Sequence, residues 1–362
     1  MNECSELSNE NRHVTLASRP GVNGVPCYEN FKSSSCPPPE FNSKSSSPQI
    51  LIESLYISVD PALRCCMNDP SGFEYLPTWQ IGQTVIGLGG VGKVLAVSEN
   101  VCHECVPGDL VGTSMGFPWQ RFWVCTNAEQ LIKLDNPLLI SRPSLAISCL
   151  GLIGLTSLLG LQEVGHIKPG SGQTCVISGA AGACGSLAGQ MAKLLGVART
   201  VGICGSEEKC RMLVNELGYD AAICYKTQNV REEVAKACPD GVDVYFDNVG
   251  GPITNSIIPL MNENSHVVLC GQISQYNNLA EYPVPLPPEV EKYRVDKRIT
   301  MERYLVLRYR EKFPAGLAQL GEWLAEGRLN VKETVVEGLE HTGEAFVDMM
   351  NGRNIGKMIV KV

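Results

Sequence analysis

QTCVISGAAGACGSLAGQMAKLLG, Gln173–Gly196, reads as strand, glycine-rich turn and helix. Gln173–Ser178 is a short apolar run with strand composition. Gly179–Gly185 (GAAGACG) is the turn, Ser186–Leu195 has helical spacing, and Gly196 stops the helix. A strand before and a helix after is the context that the dinucleotide fingerprint requires. Gly182 lets the backbone approach a pyrophosphate, and Gly185 lets the helix pack close to the strand. The unpaired N–H groups at the helix start, at its positive dipole end, hold phosphate. The string departs from G-x-G-x-x-G, and a structural turn is the plainer alternative, so its surroundings carry the reading.

Those surroundings alternate. Strands are predicted at Thr200–Cys204, Ala221–Cys224, Val242–Asp247 and His266–Cys270. Helices are predicted at Glu207–Leu217, Val230–Ala237 and Ile253–Met261. Such alternation specifies a parallel sheet with helices on both faces, an α/β Rossmann nucleotide-binding domain. Ser144–Gly160 reads as a buried helix leading into it. The first ~140 residues are β-rich instead. QILIESLYISVD (Gln49–Asp60) alternates apolar and polar residues, and Gln83–Val97 is β-branched and glycine-rich. Ser33–Pro48, with seven Ser and four Pro, reads as a mobile surface loop. After the Pro-rich stretch Tyr282–Pro288, helix Phe313–Glu326 is followed by strand Val331–Val336, helix Thr342–Met350 and strand Ile355–Val360, a segment able to return to the first domain. The expected division is 12–146 with 315–362 for the β-rich domain, 147–314 for the nucleotide domain, and a flexible tail at 1–11.

NAD sites place an Asp or Glu at the end of the second strand to bond the ribose 2′-OH. Here that strand ends Cys204-Gly205-Ser206, without an acid. Lys209 follows in SEEKCR, a point charge suited to the 2′-phosphate of NADP. The plainer alternative is a solvated lysine paired with Glu207 or Glu208.

Composition narrows the function classes. The 362 residues carry 30 Lys+Arg against 38 Asp+Glu, net charge −8. That balance argues against a nucleic-acid or anionic-membrane surface. The opening residues lack the apolar core of a signal peptide. The longest uncharged apolar stretch, Leu145–Leu161, is broken by glycines and hydroxyl residues and is short for a membrane span. A cytoplasmic location is expected. Many of the 16 cysteines lie in apolar or glycine-rich segments, and with no secretory signal they read as reduced, buried small hydrophobes. Cys102-x-x-Cys105 has no second CxxC to complete a zinc site.

GLTSLLGLQEVGHIKPG, GAAGACGS, FDNVGG, CGQISQYN and the ending NGRNIGKMIV resemble the zinc-independent medium-chain dehydrogenase/reductases. More narrowly, they are similar to the leukotriene/prostaglandin reductase branch, over about Val14 to Val362. The resemblance implies a GroES-like β-rich substrate domain beside the Rossmann domain. It implies NADPH-dependent reduction of the carbon–carbon double bond of α,β-unsaturated ketones, 15-oxoprostaglandins among them, by a monomer or homodimer. It places cofactor contacts on Gly182, Ala183, Cys184, Gly185, Lys209, Tyr225, Asn248, Cys270, Gly271, Gln272, Ile273, Ser274, Gln275, Tyr276, Tyr304, Leu305, Val306 and Asn354. It places substrate contacts on Tyr75, Met115, Gly116, Tyr276, Leu305, Val306 and Leu307. The branch usually carries an aromatic pair where this chain has Met115-Gly116, beside a one-residue insertion, so the pocket wall differs there.

The first domain lacks the Gly-His-Glu-type segment of a zinc alcohol dehydrogenase, so no metal is expected. His166 and His266 read as structural. Hydride addition to an enone leaves an enolate, whose oxygen needs a donor. Tyr276, just beyond a strand's carboxyl end, can supply a phenolic O–H. A rim tyrosine that only packs on the cofactor is the plainer alternative. Tyr75 could close the pocket from the other domain, and Trp79 and Trp119 read as wall or core. A quinone reductase and a non-catalytic NADPH-binding protein remain as rivals.

Overall fold

The computed structural model describes residues 10–21, 23–71, 76–101, 104–278 and 283–362. The chain divides into two compact units. One comprises Met1–Ile147, Thr334–Arg353 and Met358–Val362, the other Ser148–Glu333 and Asn354–Lys357.

The first unit opens with β1 (Asn11–Leu16) and β2 (Phe31–Cys36), an antiparallel pair. It continues through β3 (Ile50–Ser58), α1 (Leu63–Cys66), β4 (Gly90–Val97), β5 (Leu110–Thr113), β6 (Phe122–Cys125), β7 (Ile132–Lys133) and α2 (Pro137–Ser141). β3 is central and pairs antiparallel with both β4 and β6. Its inward residues Ile50 and Ile52 pack with Val94, Val111, Cys125 and Leu131. The two glycines of β4 are close-packed: a Cβ on Gly90 would come within 2.3 Å of the Phe117 ring, and one on Gly92 within 2.3 Å of Ile52. Trp79 and Trp119 are core residues, their rings 5.8 Å apart and both within reach of Phe31.

Two expectations fail here. Ser33–Cys36 is strand, in register with Asn11–Val14, because a serine run can satisfy a backbone ladder without apolar alternation. The expected tail also ends early. Asn11 is fully buried, donating through Nδ2 to Phe122 O at 2.8 Å and accepting from Phe122 N at 2.9 Å.

The second unit runs α3 (Leu152–Leu159), β8 (Thr174–Ser178), α4 (Ala183–Leu194), β9 (Arg199–Cys204), α5 (Glu207–Leu217), β10 (Ala221–Cys224), α6 (Val230–Ala237), β11 (Val242–Asp247), α7 (Gly251–Ile257), β12 (Met261–Leu269), α8 (Pro288–Asp296), β13 (Thr300–Arg303) and α9 (Phe313–Ala325). The strands form one parallel sheet in the order β10-β9-β8-β11-β12-β13. That is the dinucleotide order, with its switch point between β8 and β11. Val176, Val201, Ile203, Tyr245 and Val267 form the center of one face's core. The chain then supplies β14 (Glu333–Glu337), α10 (Thr342–Met350) and β15 (Lys357–Lys361). β15 pairs antiparallel with β3.

The single helix expected over Ser144–Gly160 is split. A 3-10 turn covers Pro143–Ile147, Gly151 is extended at φ −140°, and a π turn follows α3 at Gly160–Val164. The second division falls near Thr334, not 315. α9 packs on α3, where a Cβ on Gly316 would come within 2.7 Å of Leu155. After the Pro-rich stretch the chain forms α8, which starts at Pro288, because a proline is well placed at a helix start. Tyr282 lies outside the described residues.

α6 depends on its cap. Asn229 accepts from the backbone N–H groups of Arg231 and Glu232 at 3.1 and 3.3 Å. Asn229→Ala is expected to cost about 1 kcal/mol by chemical denaturation. An unchanged midpoint would show that water replaces the cap.

Candidate functional site

The switch point gathers the expected cofactor residues of the second unit at the carboxyl ends of its strands. Gly179 (φ +58°) turns the chain out of β8, close enough to Asn248 that a Cβ would lie 3.3 Å from that residue's own. Gly182 caps α4 in an extended conformation, which leaves the N–H groups of Ala183, Cys184 and Gly185 at the helix start without helical carbonyls. A Cβ on Gly185 would come within 2.4 Å of Gly179 O, so the close helix–strand approach read from the sequence is present. Asn354 reaches the same turn. Its Nδ2 donates to Gly356 O at 2.8 Å, and Gly356 N donates to Ala181 O at 2.8 Å.

Beyond β9, Ser206 caps α5 and accepts from Lys209 N at 3.3 Å. Lys209 is half-buried. Burial holds its ammonium below the ordinary lysine value, partly offset by the neighboring Cys204 thiol. Glu207 accepts from Thr227 Oγ1 at 2.8 Å. Tyr225 stands 45% exposed, with its hydroxyl 3.1 Å from where a Cβ on Gly205 would sit. Lys209, Ser206 and Tyr225 therefore surround a turn without a carboxylate at the strand end.

On the other side of the switch point, Asn248 donates through Nδ2 to Ser178 O at 2.7 Å. Cys270 and Gly271 follow β12, and Ile273–Gln275 forms a 3-10 turn. Gln272 is buried, and its Oε1 accepts from Val284 N at 3.0 Å. Gln272 N donates to the Tyr276 hydroxyl at 3.4 Å, and Tyr276 is half-buried. The Cys184 and Cys270 thiols share a hydrogen bond which, with burial, pushes the Cys270 thiol well up. Tyr304 follows β13 beside both thiols, and burial pushes its phenol up too. Its hydroxyl is buried without a hydrogen-bond partner among the described residues. Leu305 and Leu307 are partly exposed and Val306 is buried, in the turn after Tyr304.

The residues fit a dinucleotide phosphate. The glycine cradle would be filled by side chains, a helix start faces it, and Lys209 follows, in the first turn of α5, the strand end where NAD sites carry an acid. Met115 and Gly116 belong to the first unit. Thr113 Oγ1 holds Met115 from both sides, donating to its carbonyl at 2.7 Å and accepting from its N–H at 3.2 Å, and Gly116 turns at φ +80°. Tyr75, Cys102 and His103 lie outside the described residues. Among the described residues no group of three or more His, Cys, Asp or Glu could hold a metal, and the 14 described cysteines are free thiols. No helix among them is long and apolar enough to cross a membrane. His166 and His266 stack edge to face at 4.7 Å beside the amino-terminal part of β11, away from this site.

Sequence reasoning missed the layer beneath. Ser178, Tyr245, Asp247 and Thr254 form a buried hydrogen-bonded group under Asn248. The one signal was an acid at the end of VDVYFD, after the aromatic pair Tyr245-Phe246.

Residues 12–134 match the family model for the N-terminal domain of oxidoreductase, and residues 183–322 the model for zinc-binding dehydrogenase. A putative NADP-dependent oxidoreductase, YfmJ of Bacillus subtilis, is 38% identical over 97% of each chain. Prostaglandin reductase 1 of Mus musculus is 35% identical over 93% of this chain and 95% of its own. The crystal structure of CurA in complex with NADPH from Vibrio vulnificus is 33% identical, covers 97% of this chain and 99% of that one, and superposes with a TM-score of 0.84. With its parallel dinucleotide sheet, its β-rich partner unit and relatives of this identity along nearly its whole length, the chain belongs to the NADP-dependent oxidoreductases of the medium-chain dehydrogenase/reductase superfamily.

Proposed function

We propose that this protein reduces the carbon–carbon double bond of α,β-unsaturated ketones with NADPH. The substrate class is 15-oxoprostaglandins, and the products are their 13,14-dihydro forms. When bound, the reduced cofactor supplies the hydride. Tyr276 donates its phenolic O–H to the ketone oxygen and stabilizes the enolate that develops there. Gln272 N donates to the phenol oxygen at 3.4 Å, which places the hydroxyl beside the 270–276 loop. That placement, just past the carboxyl end of β12, is the observation that carries the reading. Ala183, Cys184 and Gly185 would hold the pyrophosphate through backbone N–H groups, and Lys209 would hold the 2′-phosphate.

LASRPGVNGVPCYENF, LYISVDPALRCCMND and MNENSHVVLCGQISQYN support the prostaglandin assignment by their resemblance to prostaglandin reductase 2. A second reading is a general alkenal or quinone reductase. The resemblance assigns substrate contact to Met115 and Gly116, where the branch usually carries an aromatic pair, and that departure from the pattern supports it. NADPH oxidation with 15-oxoprostaglandin E2, short enones and quinones tests both. The first reading expects the highest kcat/KM on the oxoprostaglandin. A higher value on quinones would overturn it.

A further inference from the structure

Asp247 ends β11 and is fully buried. A buried carboxylate is costly unless its oxygens are satisfied. Here five donors converge on it. Oδ1 accepts from Ser178 Oγ at 2.9 Å, the Tyr245 hydroxyl at 2.9 Å, Val249 N at 3.0 Å and Gly250 N at 2.9 Å. Oδ2 accepts from Thr254 Oγ1 at 2.5 Å. Burial first, and the Asp247 charge second, push the Tyr245 phenol well above its ordinary value, so it remains a donor. The backbone carbonyl of Asp247 accepts from Cys270 N at 2.9 Å and Gly271 N at 3.0 Å.

The turn after Asp247 passes this order on. Asn248 O accepts from Ile273 N at 3.3 Å, and Val249 O accepts from Ser274 N at 3.1 Å and Ser274 Oγ at 2.7 Å. Gly250 (φ +73°) lies so close to Gln272 that a Cβ would come within 2.9 Å of that side chain. The turn at 248–250 and the loop at 270–276 are therefore held as one piece. β11 itself does not require the carboxylate, because β8 and β12 already pair with it on both sides. An apolar residue there would avoid the desolvation cost.

We propose that Asp247 is a positioning residue. Its carboxylate fixes the 248–250 turn against the 270–276 loop, and so sets the seat of the cofactor and of Tyr276. This rests on the reading of that loop as part of the cofactor site. The test is NADPH titration by fluorescence, with amide hydrogen exchange of 270–276, for Asp247→Ala, Asp247→Asn and Ser178→Ala. Asn retains an acceptor oxygen for the four donors on Oδ1, and its amide can donate to Thr254. Asp247→Ala is expected to raise the NADPH Kd about tenfold and to speed exchange in 270–276 about tenfold, with β9 and β10 unchanged. Asp247→Asn is expected to stay within about threefold of wild type. Ser178→Ala, which stands in if Asp247→Ala does not fold, is expected to raise Kd about threefold. Wild-type affinity and exchange in both Asp247→Ala and Ser178→Ala would overturn the proposal. So would exchange that rises equally in β9 and β10, the mark of a merely structural role. A wild-type protein that binds NADPH but reduces no enone would count against the proposed reaction alone, and the binding and exchange readouts would still decide the role of Asp247.

Discussion

Tyr276→Phe is expected to lower kcat on an enone about 10²–10³-fold, or ~2.7–4 kcal/mol, the range for losing one preorganized oxyanion donor. The loss falls on kcat as well as kcat/KM, because the bond strengthens only as negative charge develops on the ketone oxygen. Phe keeps the ring, so packing around the half-buried side chain is retained. The backbone contact removed with the hydroxyl, from Gln272 N at 3.4 Å, is long and weak, so folding and NADPH affinity are expected to change little. A tyrosine that only packs would tolerate Phe. A kcat within about threefold of wild type at saturating NADPH, under ~0.7 kcal/mol, would reject the catalytic assignment.

Lys209→Ala is expected to weaken NADPH binding by roughly 1.5–3 kcal/mol, the range for hydrogen bonds to charged groups, and to leave NADH nearly unchanged. Lys209 sits in the first turn of α5, whose N-cap Ser206 fixes the turn that would face the 2′-phosphate. Its partial burial strengthens the electrostatics toward a bound anion. The same burial carries a pH consequence. The protonated form binds phosphate, and burial lowers the pKa of the free lysine. NADPH affinity should therefore fall as pH rises through that lowered value, on the acidic side of an ordinary lysine. NADH, without the phosphate, should show no such fall. Equal losses for both cofactors in the alanine variant would show that Lys209 does not read the 2′-phosphate.

Much of this architecture was legible because the nucleotide unit is locally consistent. α5, β10, α6 and β11 begin and end at the expected residues, each bounded by a cap, a glycine or a change of hydrophobic period, as does α10 of the β-rich unit. β13 was not legible. It is an edge strand of mostly polar and charged residues, Thr300–Arg303, in which only Met301 packs on the core. α8 was hidden by the prolines before it, and β2 by its serines. The return to the β-rich unit was placed too early because α9 is amphipathic like any surface helix, and only its packing on α3 shows where it belongs.

The candidate site divides the same way. The glycine turn and Lys209 follow from spacing and charge. The cofactor positions on Tyr225, Tyr304 and Asn354 came only through family resemblance, since nothing in their local sequence marks them. The Asp247 group escaped notice because Ser178 joins it only when β8 and β11 pair, and Tyr245, Asp247 and Thr254 meet only across the turn from β11 into α7.

The central claim is transfer of hydride from NADPH to the alkene of an enone. The most direct measurement is the product formed from 15-oxoprostaglandin E2 with NADPH deuterated at the transferable position, analyzed by mass spectrometry and NMR. The account predicts a saturated ketone with deuterium on the carbon distal to the carbonyl, and no label at the carbonyl carbon. An allylic alcohol labeled at the carbonyl carbon, or unlabeled substrate returned while NADPH remains unspent, would contradict it.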